Sequence, residues 1–278
     1  MFPERFHALP LGSFPLKQPE LNTHLHEPPA PVRPHRDLPE FYEAPERRAK
    51  FVAKLFDDTA RYYDRISGAL SFGTCRVYRR WALRRAGLKP GMRLLDVATG
   101  TGLAAQAALD LGIAATDLVG LDPSAGMLRE NQKRRAIQLI QAVGENLPFA
   151  DNTFDFVCMS YALRHVEDLI ALFSEFNRVL KPGGRVLVLE ISRPASRHAF
   201  AMGEWYMNRF LPRVIRFVTR NPDAGKLLQF YWATIAECVP PETIMESLSA
   251  AGLTEVGRKR TGSMLSDYFA LKAPAQVT

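Results

Sequence analysis

A short apolar run, Leu94-Leu95-Asp96-Val97, carries a carboxylate near its end and turns at once through Ala98-Thr99-Gly100-Thr101-Gly102. Twenty-six positions after Asp96, a second run, Leu118-Val119-Gly120-Leu121, ends in Asp122. A buried strand leading into a glycine turn, then a second strand with a terminal acid, describes the nucleotide-binding half of a doubly wound sheet. A dinucleotide site wants a third glycine, so that the backbone can approach a pyrophosphate at a helix N-terminus. Here the position three beyond Gly102 is Ala105. Asp96 would repel a pyrophosphate. It suits a cation, such as the amino group or sulfonium of S-adenosylmethionine. Asp122, with Pro123 behind it, would then accept hydrogen bonds from ribose hydroxyls. The plainer alternative is an ordinary strand-to-helix turn, and the segments that follow argue against it.

Those segments alternate. Strand 92–97 precedes helix 102–110, and strand 118–121 precedes helix 123–134. Strand 138–142 leads to the loop Gly144-Glu145-Asn146-Leu147-Pro148-Phe149. Strand 154–159 precedes helix 167–180, and Lys181-Pro182-Gly183-Gly184 stops that helix and opens the strand 185–190. Such alternation predicts an α/β fold with a doubly wound, mostly parallel sheet and helices on both faces. Helix 241–251 and strands near 254–260 and 266–272 predict a final antiparallel hairpin, seven strands in all. Before the first strand, Phe51, Leu55, Phe56, Ala60 and Tyr63 recur at helical spacing, so residues 46–90 read as a helical cap with a break at Ser71-Phe72-Gly73. Residues 199–236 interrupt the alternation with a helical, aromatic-rich insertion that includes Trp205, Tyr206, Phe210, Phe230, Tyr231 and Trp232. Pro212, Pro222 and Gly225 divide it into short pieces, which suits a lid. Its bland reading is a helical cap whose aromatics pack on the sheet.

Ten of the twenty prolines fall in residues 1–45, which therefore read as an extended arm ahead of a single domain, 46–278. The arm could wrap that domain or a second subunit, as in a homodimer. Its histidines His24, His26 and His35 read as an incidental polar tail, with metal binding as the sharper alternative. With 278 residues and 47% hydrophobic content, one core of ordinary size is expected. No apolar run reaches the roughly 18–20 residues of a membrane span. The start lacks the basic-then-apolar layout of a secretory signal. Cys75, Cys158 and Cys238 match no metal spacing and fit a reducing, cytoplasmic setting. The net charge of +7 gathers in Arg76–Arg93, Arg129–Arg135 and Arg209–Arg220. Solvated helix faces explain that as well as contact with an anionic lipid surface does. No recognition-helix, zinc or RNP-type motif points to nucleic acid.

The central block resembles the class I S-adenosylmethionine-dependent methyltransferases. Phe56 with Ala60-Arg61-Tyr62-Tyr63-Asp64, then Ser71-Phe72-Gly73, resembles the N-terminal signature of the ubiquinone/menaquinone-biosynthesis C-methyltransferases. Glu145 to Asp155, Ala162-Leu163-Arg164-His165-Val166, Arg178 to Gly184 and Leu189-Glu190-Ile191-Ser192-Arg193-Pro194 continue the likeness, which covers about residues 50–272. The chain departs from that pattern at His165 and Ser67, where the family usually has asparagine, and at Val143, where an acid or amide often precedes the Ala-Glu pair.

The resemblance implies S-adenosylmethionine as donor, S-adenosylhomocysteine as product, and an aromatic acceptor related to a quinone precursor. A prenyl tail and contact with the inner face of a membrane would go with such an acceptor. The implied donor site comprises Asp96, Ala98, Thr99, Gly100, Thr101, Gly102, Asp122, Pro123, Met127, Gly144 and Glu145, with Ser160 at a strand's C-terminal end. The implied acceptor site has Arg164 orienting a water or a ring oxygen and Tyr63 across the pocket. An arginine in its charged state cannot be a base. His165, which ordinarily titrates near neutrality, is the alternative base. Each has a bland reading: Arg164 pairing with Glu167 or Asp168, His165 bonding to backbone, Tyr63 and Met127 filling core, Ser160 a turn residue. An O- or N-methyltransferase of a soluble small molecule, or a non-catalytic binder, are the competing functions.

Overall fold

The computed structural model describes residues 14–17, 31–71, 74–219, 223–262 and 264–275. Phe72, Gly73, Pro222, His24 and His26 lie outside the described residues. Among the described residues, seven strands form one sheet: β1 (Leu94–Val97), β2 (Leu118–Asp122), β3 (Gln138–Gln141), β4 (Phe154–Ser160), β5 (Leu180–Ile191), β6 (Leu253–Thr261) and β7 (Leu265–Lys272). Their order is β3-β2-β1-β4-β5-β7-β6. The first five run parallel and β7 is antiparallel to both neighbours. The strands β1 and β2 are buried at every residue, which is why they read as continuous apolar runs rather than alternating ones.

Among the described residues, nine α-helices flank the sheet: α1 (Arg48–Ser71), α2 (Thr74–Arg85), α3 (Leu103–Leu109), α4 (Ala125–Gln132), α5 (Leu169–Val179), α6 (Arg197–Trp205), α7 (Leu211–Thr219), α8 (Asp223–Ala236) and α9 (Pro241–Ala250). Short polar side chains set several starts. The Ser124 hydroxyl accepts from Met127 N–H at 3.1 Å, and the Asp168 carboxylate from Ile170 N–H at 2.9 Å. A π-helical turn, Tyr206–Phe210, joins α6 to α7. The strand order reverses beside β1, between it and β4, so the C-terminal ends of these strands form the crevice where such sheets bind ligands.

Two buried clusters cover the faces of the sheet, and a third lies under the helical insertion. The third joins Leu55 and Ile66 of α1 to Leu211, Ile215, Phe230, Tyr231 and Trp232. Aromatics of the insertion are thus divided: Phe230 and Trp232 are core, while Trp205 and Phe210 are exposed.

The described parts of the N-terminal arm lie on this domain. The Phe14 ring stacks on Phe154 at 5.4 Å, and Pro15 O accepts from Ala150 N–H at 2.9 Å. Val32 O accepts from Leu169 N–H at 2.9 Å, and Pro34 O from Val239 N–H at 2.8 Å. The expectation of an incidental polar tail fails at His35. That residue is only 2% exposed, and its Nε2 lies 3.1 Å from Arg48 Nη2. Proline blocks regular structure but not burial, so a proline-rich segment can still be ordered by the surface it covers.

Candidate active site

The glycine turn sits where β1 ends. Asp96 is 1% exposed and faces inward: its carboxylate accepts from Thr99 Oγ1 at 2.6 Å and from Cys158 Sγ at 3.3 Å. Burial pushes its pKa up. It braces the turn from beneath, with Thr99 N–H donating to Leu121 O at 2.9 Å. Ala98, Gly100 and Gly102 all take positive φ, at 53°, 55° and 84°.

The two glycines do different work. A Cβ on Gly100 would meet nothing within 4 Å, so the turn is open there. A Cβ on Gly102 would lie 2.3 Å from Asn131 Oδ1 and 2.7 Å from Arg135 Nη1. Gly102→Ala is expected to cost about 1–3 kcal/mol from backbone strain alone. A urea denaturation midpoint unchanged from wild type would rule that out.

Asp122 closes the turn. Its Oδ2 accepts from Gly100 N–H and its Oδ1 from Ser124 N–H, both at 2.8 Å. Burial still outweighs these bonds and raises its pKa to about 7. A desolvated carboxylate at the end of β2, beside an open glycine turn, fits the vicinal hydroxyls of an adenosine ribose.

The other implied donor residues follow β2 and β3 in the chain or end β4. Met127 is buried, while Pro123 is exposed and its carbonyl accepts from Gln141 Nε2 at 3.0 Å. Gly144 is buried, and Glu145 Oε1 accepts from Glu167 N–H at 2.7 Å. Ser160 ends β4, paired with Leu189. Above them lies α1. Asp57 accepts from Ser124 Oγ at 2.5 Å and Gly126 N–H at 2.7 Å, and Asp64 accepts from Thr101 Oγ1 at 2.5 Å and from Arg134. Asp64 was visible in the sequence as a motif without a role. It ties the roof helix to the turn.

Beyond the strand ends lies a largely apolar cavity of about 350 Å³, within the range of small-molecule sites. Tyr63 and Arg164 both line it, with Tyr231 and Arg79. Arg164 does not pair with Glu167 or Asp168. Its Nη1 donates to Glu190 Oε1 at 3.0 Å, with both side chains at most 2% exposed. Glu190 also accepts from Ile191 N–H at 2.7 Å, and its Oε2 has no partner. Burial raises its pKa, and the Arg164 cation pulls it back down. Tyr63 is hydrogen-bonded to the Tyr231 side chain, whose hydroxyl burial holds well above its usual pKa.

His165 is not brought to the cavity wall. Its ring stacks on Phe230 at 5.4 Å and meets Phe56 edge-on at 5.1 Å, and neither ring nitrogen has a partner. Burial first, then the Arg164 cation, hold its pKa well below the usual value. A neutral imidazole so held is a poor proton acceptor. Although it neighbours Arg164 in sequence, the 3-10 turn Leu163–His165 sends the two side chains apart. Glu190 is the acid that the sequence reading passed over. Its signal was the one that marked Asp96 and Asp122: a lone carboxylate at the end of an apolar strand.

The ubiE/COQ5 methyltransferase family matches residues 43–272. A demethylmenaquinone methyltransferase of Beutenbergia cavernae is 36% identical over 229 residues, 82% of this chain and 93% of that protein. One of Corynebacterium efficiens is 39% identical over 223 residues, 80% of this chain and 94% of that protein. Among solved structures, a possible histamine N-methyltransferase of Thermotoga maritima shares the fold with a TM-score of 0.55 at 21% identity, over 79% of this chain and 98% of that one. A SAM-dependent methyltransferase of Aquifex aeolicus has a TM-score of 0.51 at 17% identity, over 70% and 89%. The chain belongs to the ubiE/COQ5 methyltransferase family and is an S-adenosylmethionine-dependent methyltransferase.

Proposed function

We propose that this enzyme methylates a ring carbon of a demethylmenaquinone-type quinol. The observation that carries this reading is the apolar cavity with the buried, carboxylate-held Arg164 in its wall. When bound, S-adenosylmethionine supplies an electrophilic methyl group. A ring carbon becomes a competent nucleophile when a neighbouring ring hydroxyl ionises. A fixed guanidinium beside that oxygen favours the ionised form and needs no reorganisation as charge develops. Glu190 keeps the guanidinium in place, and Tyr63 with Tyr231 closes the wall. The product proton leaves from the methylated carbon as aromaticity returns, passing to solvent or to a ring oxygen.

The experiment uses labelled donor with a demethylmenaquinol of short prenyl tail, and locates the new methyl by mass spectrometry and NMR. A carbon-bound methyl is expected. A methyl on oxygen, or turnover only with soluble amines or phenols, would overturn the proposal.

The tail supplies a reason for lipid contact. Met202, Trp205, Phe210 and Val214 are exposed on one side of α6, the π-helical turn and α7, next to exposed Arg209 and Arg213. Trp205 stacks on Phe210 at 5.6 Å. Gly203, Tyr206 and Met207 of the same segment line the cavity. Apolar rings flanked by cations suit the interface of an anionic bilayer, so a tail could pass from bilayer to cavity past this segment. In co-sedimentation with vesicles containing phosphatidylglycerol, Trp205→Ser with Phe210→Ser is expected to weaken binding by about tenfold or more. Unchanged binding would remove lipid contact from the proposal.

A further inference from the structure

We propose that Arg79, backed by Tyr161, is a second ring-oxygen binding group in the acceptor cavity, selecting rings that carry two oxygens. The inference rests on the quinol reading above, because a quinol has hydroxyls on opposite ring carbons and Arg164 serves one of them.

Arg79 comes from α2 and Arg164 from the turn after β4, so two guanidinium groups reach one cavity from different elements. Arg79 is only 4% exposed, its Nε has no hydrogen-bond partner, and no carboxylate forms a salt bridge with it among the described residues. A buried cation without a directly paired anion is costly. Its guanidinium lies over the Tyr161 ring, 4.8 Å from the centroid, which fixes its plane.

Tyr161 points to the same role. It lines the cavity, and its hydroxyl is buried without a partner. Its backbone takes φ of +61°, a left-handed conformation that a bulky side chain adopts only when its surroundings impose it. Tyr161 N–H donates to Leu189 O at 2.7 Å, which holds that backbone in place at the end of β4. Burial raises the Tyr161 pKa, so the hydroxyl remains a donor. The two stacked side chains line one stretch of the cavity, where a ring oxygen would meet a guanidinium beside a phenol.

A structural role is the competing account, since the Arg79 charge also acts on buried Asp96. In that case Arg79 would serve the donor turn. The test therefore compares two acceptors and both ligands. Wild type, Arg79→Met and Tyr161→Phe are assayed anaerobically with a 2-prenyl-1,4-dihydroxynaphthalene and with its analogue lacking the 1-hydroxyl, which keeps the 4-hydroxyl beside the methylated carbon. Equilibrium binding of each acceptor to the S-adenosylhomocysteine complex is measured in parallel. In Arg79→Met, KM and Kd for the diol are expected to rise by about 10- to 100-fold, the size of a lost hydrogen bond to a charged group. The mono-hydroxy analogue should change by less than about threefold, and S-adenosylhomocysteine binding should hold. Tyr161→Phe should show the same selective effect, smaller in size. Equal losses on both acceptors, or weakened S-adenosylhomocysteine binding, would overturn the inference while leaving the quinol reading intact. If wild type neither binds nor methylates the diol, the quinol reading itself fails, and this inference with it.

Discussion

Replacing Asp122 with alanine is expected to weaken S-adenosylmethionine binding by about 100-fold or more. Two hydrogen bonds from ribose hydroxyls to a carboxylate are worth about 1.5–3 kcal/mol each, and alanine removes both. The same change also releases Gly100 N–H and Ser124 N–H, so the turn itself loosens. Asp122→Asn separates the two effects. It keeps one acceptor for the backbone but points an N–H at the other amide. Calorimetric titration with S-adenosylhomocysteine, beside thermal unfolding, measures both. Donor affinity within threefold of wild type in Asp122→Ala would remove this residue from the donor site.

The same carboxylate predicts a pH dependence. In the free protein its pKa is raised to about 7 by burial, well above its unfolded value. The sign follows: Asp122 favours folding most below its unfolded pKa, and that contribution is lost as pH rises through about 7. Ribose hydroxyls need the ionised form as acceptor, so donor affinity should rise with pH and level off above 7. At pH 6 it should be about tenfold weaker than at the plateau. In Asp122→Asn the profile should be flat between pH 6 and 8, and a sloping one would assign the titration to another group.

Arg164→Met carries the second large effect. It leaves Glu190 buried without its cation, with backbone N–H groups such as that of Ile191 still donating to it. Breaking a buried pair from one side costs about 3–5 kcal/mol. The loss should deepen as pH rises, because protonation is the way the orphaned Glu190 escapes. Arg164→Met with Glu190→Gln should recover most of the stability, since no isolated charge remains. It should not recover turnover. Loss of one fixed donor to a developing oxyanion costs about 100- to 1,000-fold in kcat, and the double variant still lacks that donor. Chemical denaturation and single-turnover methylation read the two quantities apart. Turnover restored along with stability would mean that Arg164 acts through the fold and not on the acceptor.

The structure also redraws the acceptor wall. Arg164 and His165 are adjacent in sequence and carry the two side chains best suited to acid–base work. Only Arg164 reaches the cavity. His165 is enclosed by Phe56, Phe230 and Tyr231, from the roof helix and the helical insertion. Helical periodicity could mark Phe56 as a buried position, but not the residue that it would cover.

What the order of residues determines by itself here is local. Apolar runs closed by an acid mark strand ends, because a parallel strand buried on both faces admits polar atoms only where it emerges into the crevice. That logic located β1 and β2, the glycine turn, Asp96 and Asp122; alternation with helices located β4 and β5, although β5 begins at Leu180, ahead of the expected 185. Tyr63 and Arg164 were legible only through likeness to a family. The partners of these groups were not legible at all. Glu190 with Arg164, Tyr231 with Tyr63, Tyr161 with Arg79, and His35 with Arg48 each join residues from different elements. Those meetings depend on how strands stack in the sheet and how α1 and the helical insertion pack over it. The physical reason is that a motif encodes the backbone near it, whereas burial of a charge is decided by whichever distant segment arrives to exclude water. The turn that suggested the donor was therefore written in one stretch of chain, and the cavity proposed for the acceptor exists only in the folded protein.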